Sequence, residues 1–288
     1  MRAKEKHTGE ARRILKEMFR RKIVIAAVII IVLTIICAVF APLIAPYGPN
    51  DMDFVNMKAA PSWEHIFGTD ALGRDVLSRI IFGARASLIV AVVSVVIAAT
   101  LGVILGLLAG YYRGIVSTVI MRFIDALMSV PMTILALTIA ALMGGGLLSI
   151  VIAIGVSLTS LYARAMRGQV LAIKEMDYIL AERAHGASNA RIMFSHILPN
   201  CIPVLIVTIT MQLGAAILME AGLSYLGVGI VPPTPSWGTM IQEGIASLSA
   251  HPNLSLIPGI AIILIVFAFN MAGDGLRDAM DPKLRKRK

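Results

Sequence analysis

From residue 86 to residue 111 the chain runs without a single charged side chain. A helix needs about 20 apolar residues to cross the hydrocarbon core of a bilayer, with roughly 17–25 as the usable range. Five further runs of this kind follow or precede it, at about residues 23–44, 118–143, 147–163, 202–221 and 256–272. Such runs leave little choice of fold. The expectation is an all-α polytopic membrane protein with six transmembrane helices. Composition agrees, because 58% of the residues are hydrophobic and only 15% charged, too few to cover a soluble domain of 288 residues.

The first run is longer than the roughly 7–15 apolar residues of a secretory signal, which predicts a retained anchor. The chain's two cysteines, Cys37 and Cys201, lie beside or inside apolar runs. A disulfide framework or a zinc site needs more ligands at closer spacing, so both are read as small apolar fillers. The formal charge of +9 does not point to nucleic acid, because the basic residues flank the apolar runs. Nine Lys and Arg precede residue 23, and six more lie between Arg277 and Lys288. With six spans both ends share one side, and the positive-inside rule makes it the cytoplasm. Residues 45–85, the Gly144-Gly145-Gly146 hairpin and residues 224–255 then face outward; the last carries no Lys or Arg. The expected division is a basic cytoplasmic segment over 1–22, a first transmembrane helix over 23–44 and an extracytoplasmic segment over 45–85. A five-helix core over 86–282 follows, with an inward loop over 164–199, and then a basic cytoplasmic tail over 283–288.

Gly102, Gly106 and Gly110 recur every four residues, which lays a stripe without side chains along one face of the second span. Another helix can approach closely there, although a lipid-facing helix also tolerates such glycines. The inward loop is mostly polar yet reads as helix from Lys174 through His185. Ala181, Ala184 and Ala187 fall three apart, Gly186 marks a break, and Leu198-Pro199 leads into the fifth span. A small-faced helix clear of the membrane suits a partner's groove. A solvated connector is the other reading.

This segment resembles the coupling loop of bacterial ABC importer permeases, whose pattern is Glu-Ala-Ala, three residues, Gly, nine residues, Ile, one residue, Leu-Pro. Ala181, Gly186, Leu198 and Pro199 match; Leu180, Glu182 and His196 depart from it, so the acidic residue sits two positions late. Three more stretches resemble the peptide and nickel branch of that family, in the second (C-type) permease subunit. They are Phe67-Gly68-Thr69-Asp70-Ala71-Leu72-Gly73-Arg74-Asp75-Val76-Leu77-Ser78-Arg79, Pro232-Pro233-Thr234-Pro235-Ser236-Trp237-Gly238, and the run from Asn270 to Pro282. The likeness covers the chain from about residue 23 to residue 282. It implies the type I ABC permease fold and a multi-pass place in the bacterial inner membrane. It also implies a second homologous permease subunit, two ATPase subunits that bind ATP and Mg, and an extracytoplasmic substrate-binding protein. No cofactor is implied on this chain. Coupling to the ATPase would fall to Ala181, Glu182, Ala184, His185, Gly186 and Ala187. Close relatives carry dipeptides, oligopeptides, glutathione-like peptides, nickel or metal chelates, and short peptides are the expected cargo.

The outer stretches also read on their own terms. Asp70, Arg74 and Asp75 lie at helical spacing, where they either pin the loop to the mouth of the bundle or form solvated pairs. Pro232, Pro233 and Pro235 make a stiff loop with Trp237 at the interface, suited to contact with a binding protein or to plain anchoring. A charge at the centre of a span costs about 2.5–3.5 kcal/mol, so each one matters. Arg122 and Asp125 are expected to pair with each other or with neighbours. Glu220, near Tyr225, either lines the pathway or snorkels to the interface, and Asp274 caps the inner end of the last span. The chain has no Gly-x-x-x-x-Gly-Lys-Ser/Thr phosphate loop. Its five histidines are scattered over different loops on both sides, and no nucleophile–base set or metal cluster emerges. An enzyme is not the expectation. Two rival classes are an ion-coupled secondary transporter, which needs paired intramembrane carboxylates or broken helices in matching halves, and a scaffolding membrane subunit.

Overall fold

The computed structural model describes residues 17–280. Most of the N-terminal basic cluster, Asp281, Pro282 and the 283–288 tail lie outside that range. The described residues form helices and loops, with a single isolated β-bridge between Thr69 and Asp75. The helices are α1 Lys22–Val39, α2 Ala41–Ile44, α3 Val76–Tyr111, α4 Ile115–Met128, α5 Met132–Leu142 and α6 Leu147–Ile173. Then come α7 Asp177–Ala184, α8 Asn189–Tyr225, α9 Trp237–Ile245 and α10 Asn253–Met280. Five of them (α1, α3, α6, α8 and α10) are long and apolar enough to cross a membrane, and the bent pair of α4 and α5 brings the number to six when the two are counted as one span.

The break corrects the expectation of one continuous helix over residues 118–143. The axes of α4 and α5 differ by 87°. Pro131 sits between them with ψ at 133° and serves as the N-cap of α5. Proline offers no N–H to an incoming helix, and its ring keeps the preceding residue out of the helical region. The first span is also shorter than the expected 23–44. It stops at Val39, the chain turns at Phe40, and α2 resumes with Pro42 in its first turn, where proline's missing donor costs nothing.

Other helices outrun their apolar cores. α3 begins at Val76, because Asp75 accepts the Ser78 amide at 2.7 Å as N-cap. Its 36 residues reach about 54 Å at 1.5 Å per residue, well beyond a hydrocarbon core of roughly 30 Å. Arg79 and Arg85 therefore ride on a helical extension rather than in a loop. α6 likewise continues to Ile173, so residues 164–199 are not one loop but the end of α6, all of α7 and the start of α8. Before Pro199 the first turns of α8 widen into a π-helix over Ile192–Ile197. Such a turn accommodates a proline ring that would otherwise meet the carbonyl one turn back.

α3 against α6 is the most extensive helix pairing. Buried Val90, Ala91, Val95 and Ala98 meet buried Ile150, Ile154, Leu158 and Tyr162 in one core cluster. The glycine stripe makes this approach possible. A Cβ on Gly102 would stand 2.5 Å from the Cβ of Tyr162, one on Gly110 would stand 2.7 Å from that of Val170, and one on Gly106 would strike the Ala163 carbonyl. The stripe thus serves a helix of the same chain. Gly106→Leu is expected to cost about 3 kcal/mol, the upper end of overpacking penalties, since backbone rather than a side-chain tip is in the way. A fluorescence size-exclusion profile should then lose most of its folded peak; an unaltered peak would contradict this packing.

α8 and α10 pair beside this core, α1 lies against α10 and α3, and the short α9 packs on α10. Ile29, Leu33, Val96, Ile104, Leu218, Ile263 and many other large apolar residues remain exposed. Lipid or another apolar helix can cover such a surface, and water cannot.

Candidate functional site

Two places gather the residues singled out from sequence, one at each end of the bundle. At the α7 end, Lys174 caps α6 and turns inward, and its Nζ donates to the Gly110 carbonyl at 2.7 Å. Burial, more than any neighbour, holds its ammonium pKa below the ordinary value. Met176 is extended and starts α7, which carries Asp177 in its first turn and Arg183 in its last, both favoured by the helix dipole. Ile179 is wholly buried among Met166, Val170, Ile173, Ile192 and Ile197 and anchors the helix. Arg183 lies over the ring of Tyr111, whose hydroxyl donates to Asn189 at 2.7 Å. Thus α7 is fixed to α3, α6 and α8 by one face only.

The other face is open. Ala181, Ala184, His185 and Gly186 are exposed, and Glu182 is half-buried with its carboxylate 3.8 Å from His196. Gly186 has a φ of +80°, its amide donates to the Arg183 carbonyl, and the Ala187 amide donates to that of Glu182, both at 3.0 Å. These two bonds form a Schellman cap. The cap corrects one detail of the expected stripe. Ala187 lies past the end of α7, turned inward against the buried cluster, while Ala181 and Ala184 stay in the open.

At the opposite end, Asp70 and Arg74 come together, but not on a helix as their spacing suggested. Asp70 closes a tight turn by accepting the amides of Leu72 and Arg74 at 2.8 and 3.0 Å. Its other oxygen receives Arg74 Nε at 2.6 Å. Asp75 leaves this group, binding His65 Nδ1 at 2.9 Å while it caps α3. Two residues that the sequence did not single out complete the arrangement. Glu243, from α9, accepts from Arg74 at 2.8 Å and from Arg79 at 2.9 Å. Asp70, Arg74, Arg79, Glu243 and Pro232 line a cavity of about 300 Å³. The available signal was Glu243 itself, a carboxylate in the 224–255 segment, which has no Lys or Arg.

Trp237 is not seated at an interface. It is buried as the first residue of α9, its Nε1 donates to the Ile80 carbonyl at 3.0 Å, and Ser236 with Thr239 forms a capping box ahead of it. Glu220 and Tyr225 also part company. Tyr225 is exposed, whereas Glu220 is 0% exposed and so does not snorkel. It accepts the hydroxyls of Ser87 and Ser224, each at 2.8 Å, and Ser224 receives the Ile230 amide at 3.3 Å. Glu220 therefore fastens α8 to α3 and to the returning loop. Asp125 pairs with Arg164 at 2.8 Å instead of with Arg122. The glycine hairpin forms as expected, with positive φ at Gly144, Gly145 and Gly146.

This architecture has counterparts. Residues 102–286 match the family described as binding-protein-dependent transport system inner membrane component, and residues 10–61 match the N-terminal TM domain of oligopeptide transport permease C. The glutathione transport system permease protein GsiD of Escherichia coli O157:H7 is 42% identical over 269 residues, covering 93% of this chain and 89% of that one. Its counterpart in Shigella flexneri serotype 5b is 43% identical with the same coverage. A solved chain of the MetNI methionine ABC transporter, in inward-facing conformations, superposes with a TM-score of 0.58 at 19% identity, covering 70% of this chain and 97% of that one. That likeness speaks for the fold, the type I ABC permease fold. With these matches, the chain belongs to the inner membrane components of binding-protein-dependent transport systems, as a multi-pass permease subunit of an ABC importer.

Proposed function

We propose that this permease subunit passes short peptides inward across the cytoplasmic membrane by alternating access, driven by ATP hydrolysed on separate subunits. The observation that carries the reading is α7. It is held on one face and open on the other, and its exposed residues include the small Ala181, Ala184 and Gly186 beside Leu180, Arg183 and His185. A short helix of this kind fits a groove on a partner, because small residues let the partner's backbone come close. The partners in this reading are a second, homologous permease, two ATPases carrying ATP and Mg, and an extracytoplasmic binding protein. Both termini and α7 lie in the cytoplasm, in keeping with the basic flanks. No cofactor belongs to this chain.

Coupling then runs through Ala181, Glu182, Ala184, His185, Gly186 and Ala187. Closure of the ATPases draws α7 toward its counterpart, and α6 and α8, between which it is strung, tilt with it. At the outer end, the Asp70–Arg74–Glu243–Arg79 cluster, with Asp75 and Trp237 behind it, presents a rigid rim for the binding protein. Glu220 acts beside the pathway by holding α3, α8 and the outer loop in register, with Tyr225 on the exposed side.

The relatives named for glutathione transport support a small peptide as cargo. In cells lacking the chain, uptake of radiolabelled glutathione and of a labelled dipeptide should fall to background and return on complementation. Uptake of nickel alone, with peptide uptake unaffected, would overturn the peptide reading while leaving the importer intact.

A further inference from the structure

At the end of the bundle that carries α7, the C-terminal ends of α3 and α6 and the first turn of α4 border an open cavity of about 450 Å³. Arg113, Arg167 and Lys174 line it, against a single carboxylate, Glu175. That carboxylate is engaged by Arg113 at 2.8 Å. Lys174 has spent one of its three donors on Gly110. The Nε of Arg167 is buried and has no hydrogen-bond partner among the described residues. A buried donor left unpaired is costly and calls for a partner. Arg113, Arg167 and Arg183 all disfavour the charged form of Lys174, opposed by Glu175, so positive charge is in excess here. α4 opens at Gly114 with no side-chain cap, which adds the positive end of a helix dipole to the same wall.

We propose that this cavity binds the phosphate of an anionic phospholipid, with Arg113, Arg167 and Lys174 as its ligands. A phosphate supplies acceptors to the guanidinium of Arg167 and to the free protons of Lys174, and an arginine fork matches its geometry. The lipid, rather than a free phosphate, is favoured by what adjoins the cavity. Ile115, Val116 and Val119 are exposed along the start of α4, and Leu171 lies on the rim. Acyl chains would lie along this apolar strip while the headgroup reaches the cations. This site plays no part in the coupling reading above, so the two stand or fall separately.

The test is retention of lipid by the full chain, with whatever subunits co-purify, after transfer from bilayers of phosphatidylcholine containing a minor fraction of phosphatidylglycerol. Native mass spectrometry should find phosphatidylglycerol retained over phosphatidylcholine. At about 1 kcal/mol per basic residue, Arg113→Gln with Arg167→Gln should weaken that preference roughly thirtyfold. Glu175→Gln frees Arg113 and should strengthen it about fivefold by the same scale. If the double variant does not fold, the Glu175→Gln result decides, because it leaves all three cations in place. Equal retention of the two lipids by the wild type would overturn the proposal. So would an unchanged preference in Glu175→Gln, or complete displacement of lipid by excess inorganic phosphate, which would mark a site for the free ion instead.

Discussion

Gly186→Arg should abolish uptake while leaving the membrane bundle assembled. Gly186 sits at a φ of +80° in the cap that ends α7, a conformation costing an L-residue about 1–2 kcal/mol. A Cβ at this position meets nothing within 4 Å, so the damage stays local and no helix pairing is disturbed. What changes is the open face, where a long cation now stands on the surface proposed to meet the ATPase. Lost docking of about 2 kcal/mol or more corresponds to at least a thirtyfold fall in coupling. Three companions separate the causes. Gly186→Asn tolerates the left-handed backbone and adds little bulk, and should keep most of the uptake. Ala184→Arg, at an exposed position with ordinary helical backbone, should fail like Gly186→Arg. Leu142→Arg, exposed at the opposite end of the bundle, should not affect ATPase docking. Uptake and substrate-stimulated ATP hydrolysis in the reconstituted assembly are the readouts. Normal uptake with Ala184→Arg and Gly186→Arg alike would remove α7 from the coupling route.

Glu243→Gln should loosen the end of the bundle opposite α7 more than any single exposed charge can. The Arg79 side chain is 2% exposed and that of Glu243 is 28% exposed. Removing one partner of a buried pair costs about 3–5 kcal/mol, because the remaining charge stays desolvated. Asp70 still touches Arg79, at 3.5 Å, and Glu243 is partly hydrated, so the lower end, about 3 kcal/mol, is expected here. Arg79→Met combined with Glu243→Met should recover much of that loss, since nothing charged is then left unpaired between them. Asp125→Asn provides the contrast. Asp125 and Arg164 form an equally short pair at 2.8 Å, but their side chains are 49% and 53% exposed, and such pairs contribute less than about 1 kcal/mol. Thermal unfolding of the purified protein in nanodiscs reads all three variants. Equal shifts for Glu243→Gln and Asp125→Asn would mean that the buried cluster does not clamp the outer segment.

These two predictions differ in how far sequence alone could have reached them. The Gly186 break and the small residues around it were legible, because helix ends are written in local chemistry: a residue free to adopt positive φ after a run of helix formers. The outer cluster was legible only in part. Asp70 and Arg74 are four apart and do pair, yet through a turn that Asp70 itself closes, and their decisive partner stands far along the chain on α9. Nothing in the spacing of residues 70–75 indicates Glu243. Glu220 is similar. Its place in an apolar run was visible, but the hydroxyls that satisfy it come from Ser87 on another helix and from Ser224 one turn on.

The sequence by itself determined the all-α membrane class, the family and the turns that glycine and proline enforce, since a bilayer admits few alternatives to an apolar helix of fixed length. Only the tertiary structure decided where helices overrun the apolar runs, that α4 and α5 break at Pro131 by 87°, that Trp237 is buried, and which distant charges meet. Span-forming propensity is a sum over neighbours in the chain. Ion pairing, helix extension beyond the membrane and burial depend on what packs alongside, and that is fixed only when the helices come together.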